Sequence, residues 1–321
     1  MPVPHQIDPY GFLVGGGQTG ELIRSIDWSK TALGAIETWP QSLRTTVALA
    51  LKSPLPIVML WGPEGKLLYN DAYAAFAGSR HPGLMGAKVL EGWPEAADLN
   101  QRVLDVVLKG GTLSLREQRL TLARHGRPED CWLDLDYMPI IDESGKPGGV
   151  FAIVIEITER VRAEQRLKIA QEAGGVGVFE WYPDTGLLDV SDEYRRIWGF
   201  SPDVQVTEAL LVSLLHPEDI PKSGPRKLKS ANPLAYAEYR RVDPLTGEIR
   251  WIARQGEAVS VPDSSQRRFI GVCFDITARK EAEEAVRASE ARWRNLFEQM
   301  QEGFFVAEAV RDARGTMVDF R

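Results

Sequence analysis

Two apolar runs in this chain end alike. Val150-Phe151-Ala152-Ile153-Val154-Ile155 stops at Glu156-Ile157-Thr158, and Phe269-Ile270-Gly271-Val272-Cys273-Phe274 stops at Asp275-Ile276-Thr277, 119 residues later. Each run predicts a buried strand, and the segment rich in Glu, Arg, Lys and Ala behind it predicts a helix. Upstream, Ile57-Val58-Met59-Leu60-Trp61 and Lys66-Leu67-Leu68-Tyr69 predict a hairpin around the turn Gly62-Pro63-Glu64-Gly65. Asn70 stands where a helix beginning at Asp71 needs an N-cap. A Gly- and Pro-rich stretch over 78–94 leads to a helix expected over 95–109 and ended by Gly110-Gly111. Over 114–122 and 130–140 apolar and polar residues alternate, as in an antiparallel sheet with a covered face. Leu133, Leu135 and Tyr137 form one such face, and 149–157 supplies the last strand.

The order strand, strand, short helices, three strands, exit helix then recurs. Residues 176–181 and 187–190 predict a second hairpin around Pro183-Asp184-Thr185-Gly186, and Ser191 caps a helix from Asp192. Pro217-Glu218-Asp219 opens another helical segment, and 235–242, 248–259 and 268–276 predict the closing strands. Trp132 and Trp251 share the 119-residue offset, while Asp71 and Tyr73 match Asp192 and Tyr194 within two residues. Several anchors in one order make an internal repeat. A third copy begins with a strand over 303–308, the turn Asp312-Ala313-Arg314-Gly315 and a strand over 316–321. A lone hairpin is marginal in water, so the chain is expected to be the front part of a longer protein.

This arrangement resembles tandem PAS domains. Asp275-Ile276-Thr277, and conservatively Glu156-Ile157-Thr158, are similar to the Asp-Ile-Thr element that commonly closes a PAS domain. Leu215-His216-Pro217-Glu218-Asp219 is similar to the His-Pro-Glu-Asp turn of one PAS subgroup. The stretch from Leu33-Gly34 and Trp39-Pro40-Gln41-Ser42-Leu43-Arg44 through Tyr69-Asn70-Asp71-Ala72-Tyr73 to Trp93-Pro94-Glu95 resembles N-terminal PAS modules of bacterial sensor histidine kinases. The resemblance implies an α+β chain: tandem PAS folds, each a five-stranded antiparallel sheet with helices on one face, joined by coiled-coil-like linker helices. The expected domains are an N-terminal lead-in and capping helix over 1–53, PAS domain 1 over 54–158 and a linker helix over 159–173. PAS domain 2 over 174–277, a linker helix over 278–300 and the start of a truncated third PAS domain over 301–321 complete the order. Kinase catalytic parts are expected beyond Arg321, since no phosphoacceptor His-Glu dyad or Gly-rich ATP-binding box occurs in this chain.

Composition narrows the function. A net charge of −7 over 321 residues argues against a nucleic-acid surface. The longest apolar candidate, 45–60, is interrupted by Lys52, Pro54 and Pro56 and falls short of the ~18 residues of a membrane span. Met1-Pro2-Val3-Pro4-His5 has no signal-peptide pattern. Two cysteines inside apparent strands, Cys131 and Cys273, fit a reduced, cytoplasmic setting. In the lead-in, Gly15-Gly16-Gly17-Gln18-Thr19-Gly20 lacks the strand before and the Gly-Lys-Ser/Thr after that a phosphate loop needs, and reads as a flexible loop. Leu43, Val47, Ala50 and Leu51 recur at helical spacing, so one helix face should pack on the domain behind it.

Candidate chemistry is sparse. No nucleophile with a paired base is present, so catalytic residues are expected to be none in this fragment. No Asn-Cys-Arg-Phe-Leu-Gln flavin motif occurs. His5, His81, His125 and His216 are scattered, with no haem ligand or metal-ligand spacing among them. His81 and His216 each precede proline and read as turn residues. Trp61, Tyr69, Tyr73, Phe76, Trp93 and Met138, with Met59, line a ligand pocket or are core. Arg240-Arg241 and Arg267-Arg268 read as solvated strand edges.

The junctions are the candidate relay. Thr158 and Thr277 are expected to cap the exit helices, with Glu156 and Asp275 near the positive helix ends and Arg160 and Arg279 as their basic partners. After Thr277, Ala282, Val286, Ser289, Trp293, Leu296 and Met300 fall at spacings 4-3-4-3-4, a heptad seam. It pairs with a second copy or packs on its own chain. The first linker, with Ala163, Leu167 and Ala170, carries a shorter stripe. The expected function is a sensory module of a bacterial signalling protein, most simply a two-component histidine kinase, with a homodimer, a small-molecule ligand and a response regulator as partners. The alternatives are a ligand-free PAS dimerisation scaffold, or an input to another output enzyme such as a cyclic-dinucleotide synthase. Asp275-Thr277, with the longer seam, is the expected principal relay.

Overall fold

The structure, a computed structural model, describes residues 8–220, 234–259, 268–299 and 307–320. The chain divides into two compact units, Met1–Arg166 and Leu167–Arg321. The first begins with helices α1 (Gly17–Ser25) and α2 (Gln41–Leu51), then strands β1 (Ile57–Trp61) and β2 (Lys66–Tyr69). Helices α3 (Asp71–Ala77), α4 (Val89–Gly92) and α5 (Ala97–Val107) come next. Strands β3 (Leu113–Leu122), β4 (Glu129–Ile141) and β5 (Pro147–Glu156) lead into the exit helix α6 (Thr158–Ala173). The five strands form one antiparallel sheet in the order β2-β1-β5-β4-β3.

Register sorts the side chains. Tyr69, Val58, Ala152 and Tyr137 lie abreast on one face. Helix α3 covers that face, with the Tyr73 ring 5.3 Å from Tyr69. Leu68, Met59, Phe151 and Met138 lie abreast on the other. Helix α2 lies along this second face: Gln41, Thr45 and Leu49 line one groove with Met138, Ile140 and Phe151. The expected face of Leu43, Val47, Ala50 and Leu51 is buried in the same core as Met59. Both faces of β1 are therefore covered, which is why its burial does not alternate.

The lead-in belongs to this core. Ile23, Trp28, Ile36 and Trp39 are buried in it. The Gly-rich stretch is not a loop throughout: α1 starts at Gly17, and the Asp71 carboxylate accepts the N–H groups of Gln18 and Thr19 at 3.0 and 2.7 Å. An acid at a helix N-terminus satisfies donors that the helix cannot. Gly17 is required there, since its φ is +64° and a Cβ would sit 1.9 Å from Asp71 Oδ2.

The second unit repeats the plan with β6 (Gly177–Tyr182), β7 (Leu187–Val190), α7 (Asp192–Trp198), α8 (Glu208–Ser213), β8 (Ala237–Val242), β9 (Ile249–Val259) and β10 (Arg268–Asp275). The exit helix α9 spans Thr277–Gln299. The sheet order, β7-β6-β10-β9-β8, is that of the first unit position for position. A short hairpin, β11 (Ala309–Arg311) with β12 (Met317–Phe320), closes around the expected turn. Most of the strand expected over 303–308 lies outside the described residues.

The hairpin-to-helix turn is built by one side chain in each unit. Asn70 Oδ1 accepts from Tyr73 N and Ile57 N at 3.0 and 3.1 Å, and Ser191 Oγ accepts from Tyr194 N and Val178 N at 3.2 and 2.9 Å. Asn70, fully buried, also donates from Nδ2 to the carbonyls of Ala50, Ser53 and Leu55 at 3.0, 3.1 and 2.7 Å. That anchors the end of α2 to the sheet. Asn70→Ala should destabilise the first unit by on the order of 3 kcal/mol, because it orphans buried groups as well as removing a cap. Ser191→Ala should destabilise the second by about 1 kcal/mol. Segment-resolved hydrogen exchange in urea measures both, and equal losses would refute the anchoring role.

Candidate functional site

Each sheet hands its last strand to a helix through the same set of contacts. Trp132 N–H donates to Thr158 Oγ1 at 3.1 Å, and Trp251 N–H donates to Thr277 Oγ1 at 2.9 Å. Ile157 N–H returns to the Trp132 carbonyl at 2.9 Å, and Ile276 N–H returns to the Trp251 carbonyl at 2.8 Å. Ile157 and Ile276 accept the first helical bonds, from Val161 N and Lys280 N. The threonines are therefore the first helical residues, not the caps that the sequence suggested. Their hydroxyls face the neighbouring strand, standing in for the carbonyl it loses where the chain turns away. Thr158 is buried for this purpose. A guanidinium from the edge strand lies over each tryptophan ring, Arg119 over Trp132 at 5.6 Å and Arg240 over Trp251 at 5.5 Å.

The basic residues do not pair as expected. Arg160 binds Glu117 and Glu164, both at 3.1 Å, and Arg279 binds Glu238 and Glu283 at 2.6 and 2.9 Å. Neither reaches Glu156 or Asp275, because one turn of helix carries the side chain over the edge strand β3 or β8. Glu117 precedes Gln118, opposite Leu133, and Glu238 precedes Tyr239, opposite Ile252, so the two acids hold equivalent places. In β3 that place is a bulge with Glu117 at φ +51°, a strained conformation that re-aims its side chain.

The acids differ between copies. Glu156 accepts both Arg124 Nη groups, at 2.6 and 3.1 Å, and the Thr158 hydroxyl at 2.7 Å. Burial works to raise its pKa, but the arginine and the hydroxyl outweigh it and hold the carboxylate below the ordinary range. Asp275 instead accepts the N–H of Thr277 at 2.9 Å, at the positive end of α9. The second helix is gripped from outside: Glu238 takes Lys280 at 2.6 Å as well as Arg279. Hydrogen bonds from Lys280, then Tyr236 and Arg279, bring the Glu238 pKa from 4.5 to about 2.

Four of the six pocket candidates come together. Tyr73 lies 5.4 Å from Phe76, and Phe76 lies 6.0 Å from Trp93, ring to ring. Tyr73 Oη accepts from Trp93 Nε1 at 3.0 Å, and Tyr69 Oη meets His81 Nδ1 at 3.1 Å. Burial raises the Tyr69 hydroxyl to about 12 and the Tyr73 hydroxyl further. Trp61 and Met138 are not part of this cluster: the two-residue strand period puts both on the α2 face, and Met138 is 38% exposed. His81 is more than a turn residue, since its ring packs against Tyr69; it precedes a cis proline. His216 does build its turn, accepting from Glu218 N at 3.4 Å.

Cys131 and Cys273 are buried in β4 and β10, and burial pushes the Cys131 thiol up to about 11. Arg240 ties Asp219 and Glu218 together, while Arg241 is buried against Asp243 rather than solvated as expected. Arg267 lies outside the described residues. On α9, Val286, Trp293 and Leu296 are each more than half exposed; Met300 lies outside the described residues. Among the described residues no three His, Cys, Asp or Glu side chains gather as a metal site, and no helix is long and apolar enough to cross a membrane.

Two matching α+β units, each clasping an exit helix to its sheet, define a tandem sensory module. Models of the PAS fold match residues 52–162 and 187–273, and the chain belongs to the PAS-domain sensory proteins. It is 22% identical over 279 residues to the blue-light-activated histidine kinase of Brucella anthropi, covering 79% of this chain and 55% of that protein. It is 24% identical over 239 residues to the probable diguanylate cyclase DgcE of Escherichia coli, covering 71% of this chain and 21% of that protein. A solved sensory box histidine kinase/response regulator structure from Burkholderia thailandensis is 28% identical, covers 40% of this chain and 98% of its own, and has a TM-score of 0.33. The chain thus spans about half or less of the curated relatives' own length.

Removing the clasp hydroxyl should loosen the helix start. Thr277→Val should expose the Trp251 amide to roughly tenfold faster hydrogen exchange, about 1–2 kcal/mol, with the rest of β9 unchanged. Unaltered exchange at Trp251 would refute the clasp. Glu238, with its depressed pKa, contributes stability that is present above pH 4.5 and lost as the pH falls toward about 2. Amides in the first turn of α9 should lose protection across that window, and Glu238→Gln should flatten the loss.

Proposed function

We propose that this chain is the cytoplasmic input region of a longer bacterial signalling protein, most simply a histidine kinase. Changes inside each PAS unit pass through the threonine clasp into the exit helix and on to the output domain. The repeated clasp carries this reading. One hydroxyl joins sheet and helix, so a small change in the last strands shifts the helix start, a bistable element. The relatives named as histidine kinases support the output assignment, and the relative named as a probable diguanylate cyclase supports the second reading, in which the same input drives a cyclic-dinucleotide synthase. Two free, buried thiols fit a reducing compartment.

The seam of α9 would pair with a second copy, since Val286, Trp293 and Leu296 lie on one stripe and charged residues flank it. A response regulator would be the partner of the full-length kinase. Asp275-Thr277 would be the principal relay and Glu156-Thr158 the upstream one. A relative named for blue-light activation keeps a cofactor compatible with the family. For this chain our reading is a unit without a flavin-thiol photocycle, because no Asn-Cys-Arg-Phe-Leu-Gln motif occurs and both cysteines lie in closing strands, Cys131 in β4 and Cys273 in β10.

In the longer protein, Asp275→Ala or Thr277→Val should change basal or stimulated autophosphorylation at least ~5-fold, the size of a 1 kcal/mol coupling. Unchanged output in both variants would sink the relay. The purified chain should be colourless, with native masses at multiples of 35.8 kDa. A flavin absorption band that bleaches in blue light would overturn the reading without a flavin-thiol photocycle.

A further inference from the structure

Arg124 links the end of α3 to the strands β4 and β5 of the first unit. Its side chain is 8% exposed. Nε donates to Glu129 at 2.9 Å, Nη1 and Nη2 donate to Glu156 at 2.6 and 3.1 Å, and Nη1 also reaches the Phe76 carbonyl at 3.4 Å. The guanidinium lies over the Phe76 ring, 4.8 Å from its centroid. The Arg124 carbonyl accepts from Ser79 N and Oγ at 2.9 and 2.6 Å, fixing the residue to the end of α3. On one side, then, it holds Phe76, whose ring packs on Tyr73 and Trp93 in the aromatic cluster. On the other it holds Glu156, which receives the Thr158 hydroxyl of the clasp. A planar, bidentate fork serves this geometry where a lysine could not.

We propose that Arg124 is the coupling residue of the first PAS unit, joining the aromatic cluster beside α3 to the start of α6. Displacement of Phe76 moves the guanidinium, and with it the Glu156 carboxylate that orients Thr158. A contiguous chain of partly buried contacts carries the change, with the helix start as the element that responds. In the second unit the acid at the same place, Asp275, faces its own helix N-terminus instead, and the grip on α9 is external. The first unit would therefore report on its interior, while the second reports on the edge of its sheet. The proposal rests on the relay reading.

The test is a double-mutant cycle in the 321-residue chain. The readout is hydrogen exchange at the Trp132 amide, whose acceptor is Thr158 Oγ1. Phe76→Leu alone should speed that exchange ~10-fold, a coupling of ordinary size for residues in one network. In the Arg124→Met background, Phe76→Leu should have no further effect at Trp132. Glu156→Ala keeps Arg124 with Phe76 and Glu129, removes the carboxylate that joins the guanidinium to the Thr158 hydroxyl, and should abolish the coupling as well; it decides the matter if Arg124→Met fails to fold. Additive effects in either cycle would overturn the proposal, since a merely structural arginine destabilises without coupling. Autophosphorylation of the longer protein separates the two readings. Coupling at Trp132 with unchanged output keeps Arg124's role and rejects the relay, while changed output without coupling does the reverse.

Discussion

The junctions depend on one hydrogen bond, from a tryptophan amide to a threonine hydroxyl. Where β5 leaves the ladder for α6, the next N–H of β4 loses its carbonyl partner. A buried amide without an acceptor costs about 1–3 kcal/mol. Thr158 supplies the acceptor, and Thr277 does so for β9. Each threonine is also the first residue of its helix. Sheet and helix therefore share an atom's position, and neither can shift without breaking or remaking that bond. A cap would have tied the helix only to itself.

Around this common bond the two copies are built from opposite electrostatics. In the first, a buried arginine is shared by two partly buried glutamates, Glu129 and Glu156, so its charge stays paired and little screened by solvent. In the second, the ion pairs of Glu238 lie near solvent and are open to screening by salt. The junctions thus differ in how far water reaches their basic partners, Arg124 at 8% exposed against Arg279 at 48%. The asymmetry that the sequence suggested, Glu156 against Asp275 and a short seam against a long one, has a structural counterpart in where the counter-charges sit.

Most elements were legible in the sequence because local pattern decided them. β1, β2, β7 and α7 come from apolar runs and the turns between them, and the Asn70 and Ser191 caps from position alone. The residues that were misplaced fail for a definable reason. Trp61 is ambiguous because β1 is apolar on both faces, and an unbroken apolar run does not say which face looks inward; Met138 directly follows Tyr137 in the alternating strand β4, so the two-residue period already puts it on the opposite face. Arg124 sits beside the turn His125-Gly126-Arg127-Pro128, where nothing local marks it as buried. Glu117 becomes a partner of Arg160 only because a bulge turns it. The glycines at 15–17 look like a loop until Asp71, 53 residues from Gln18, supplies the carboxylate that completes the helix start.

By itself the sequence determined the repeat, the strand order and the two junctions. All of these rest on period, spacing and turn chemistry, which act between near neighbours or recur at a fixed offset. The tertiary structure decided which charges meet: Arg124 with Glu156, Arg160 with Glu117, Arg279 and Lys280 with Glu238. Those pairings depend on sheet register, on a bulge and on burial. These bring together residues 32 to 43 positions apart and set the dielectric in which their charges interact.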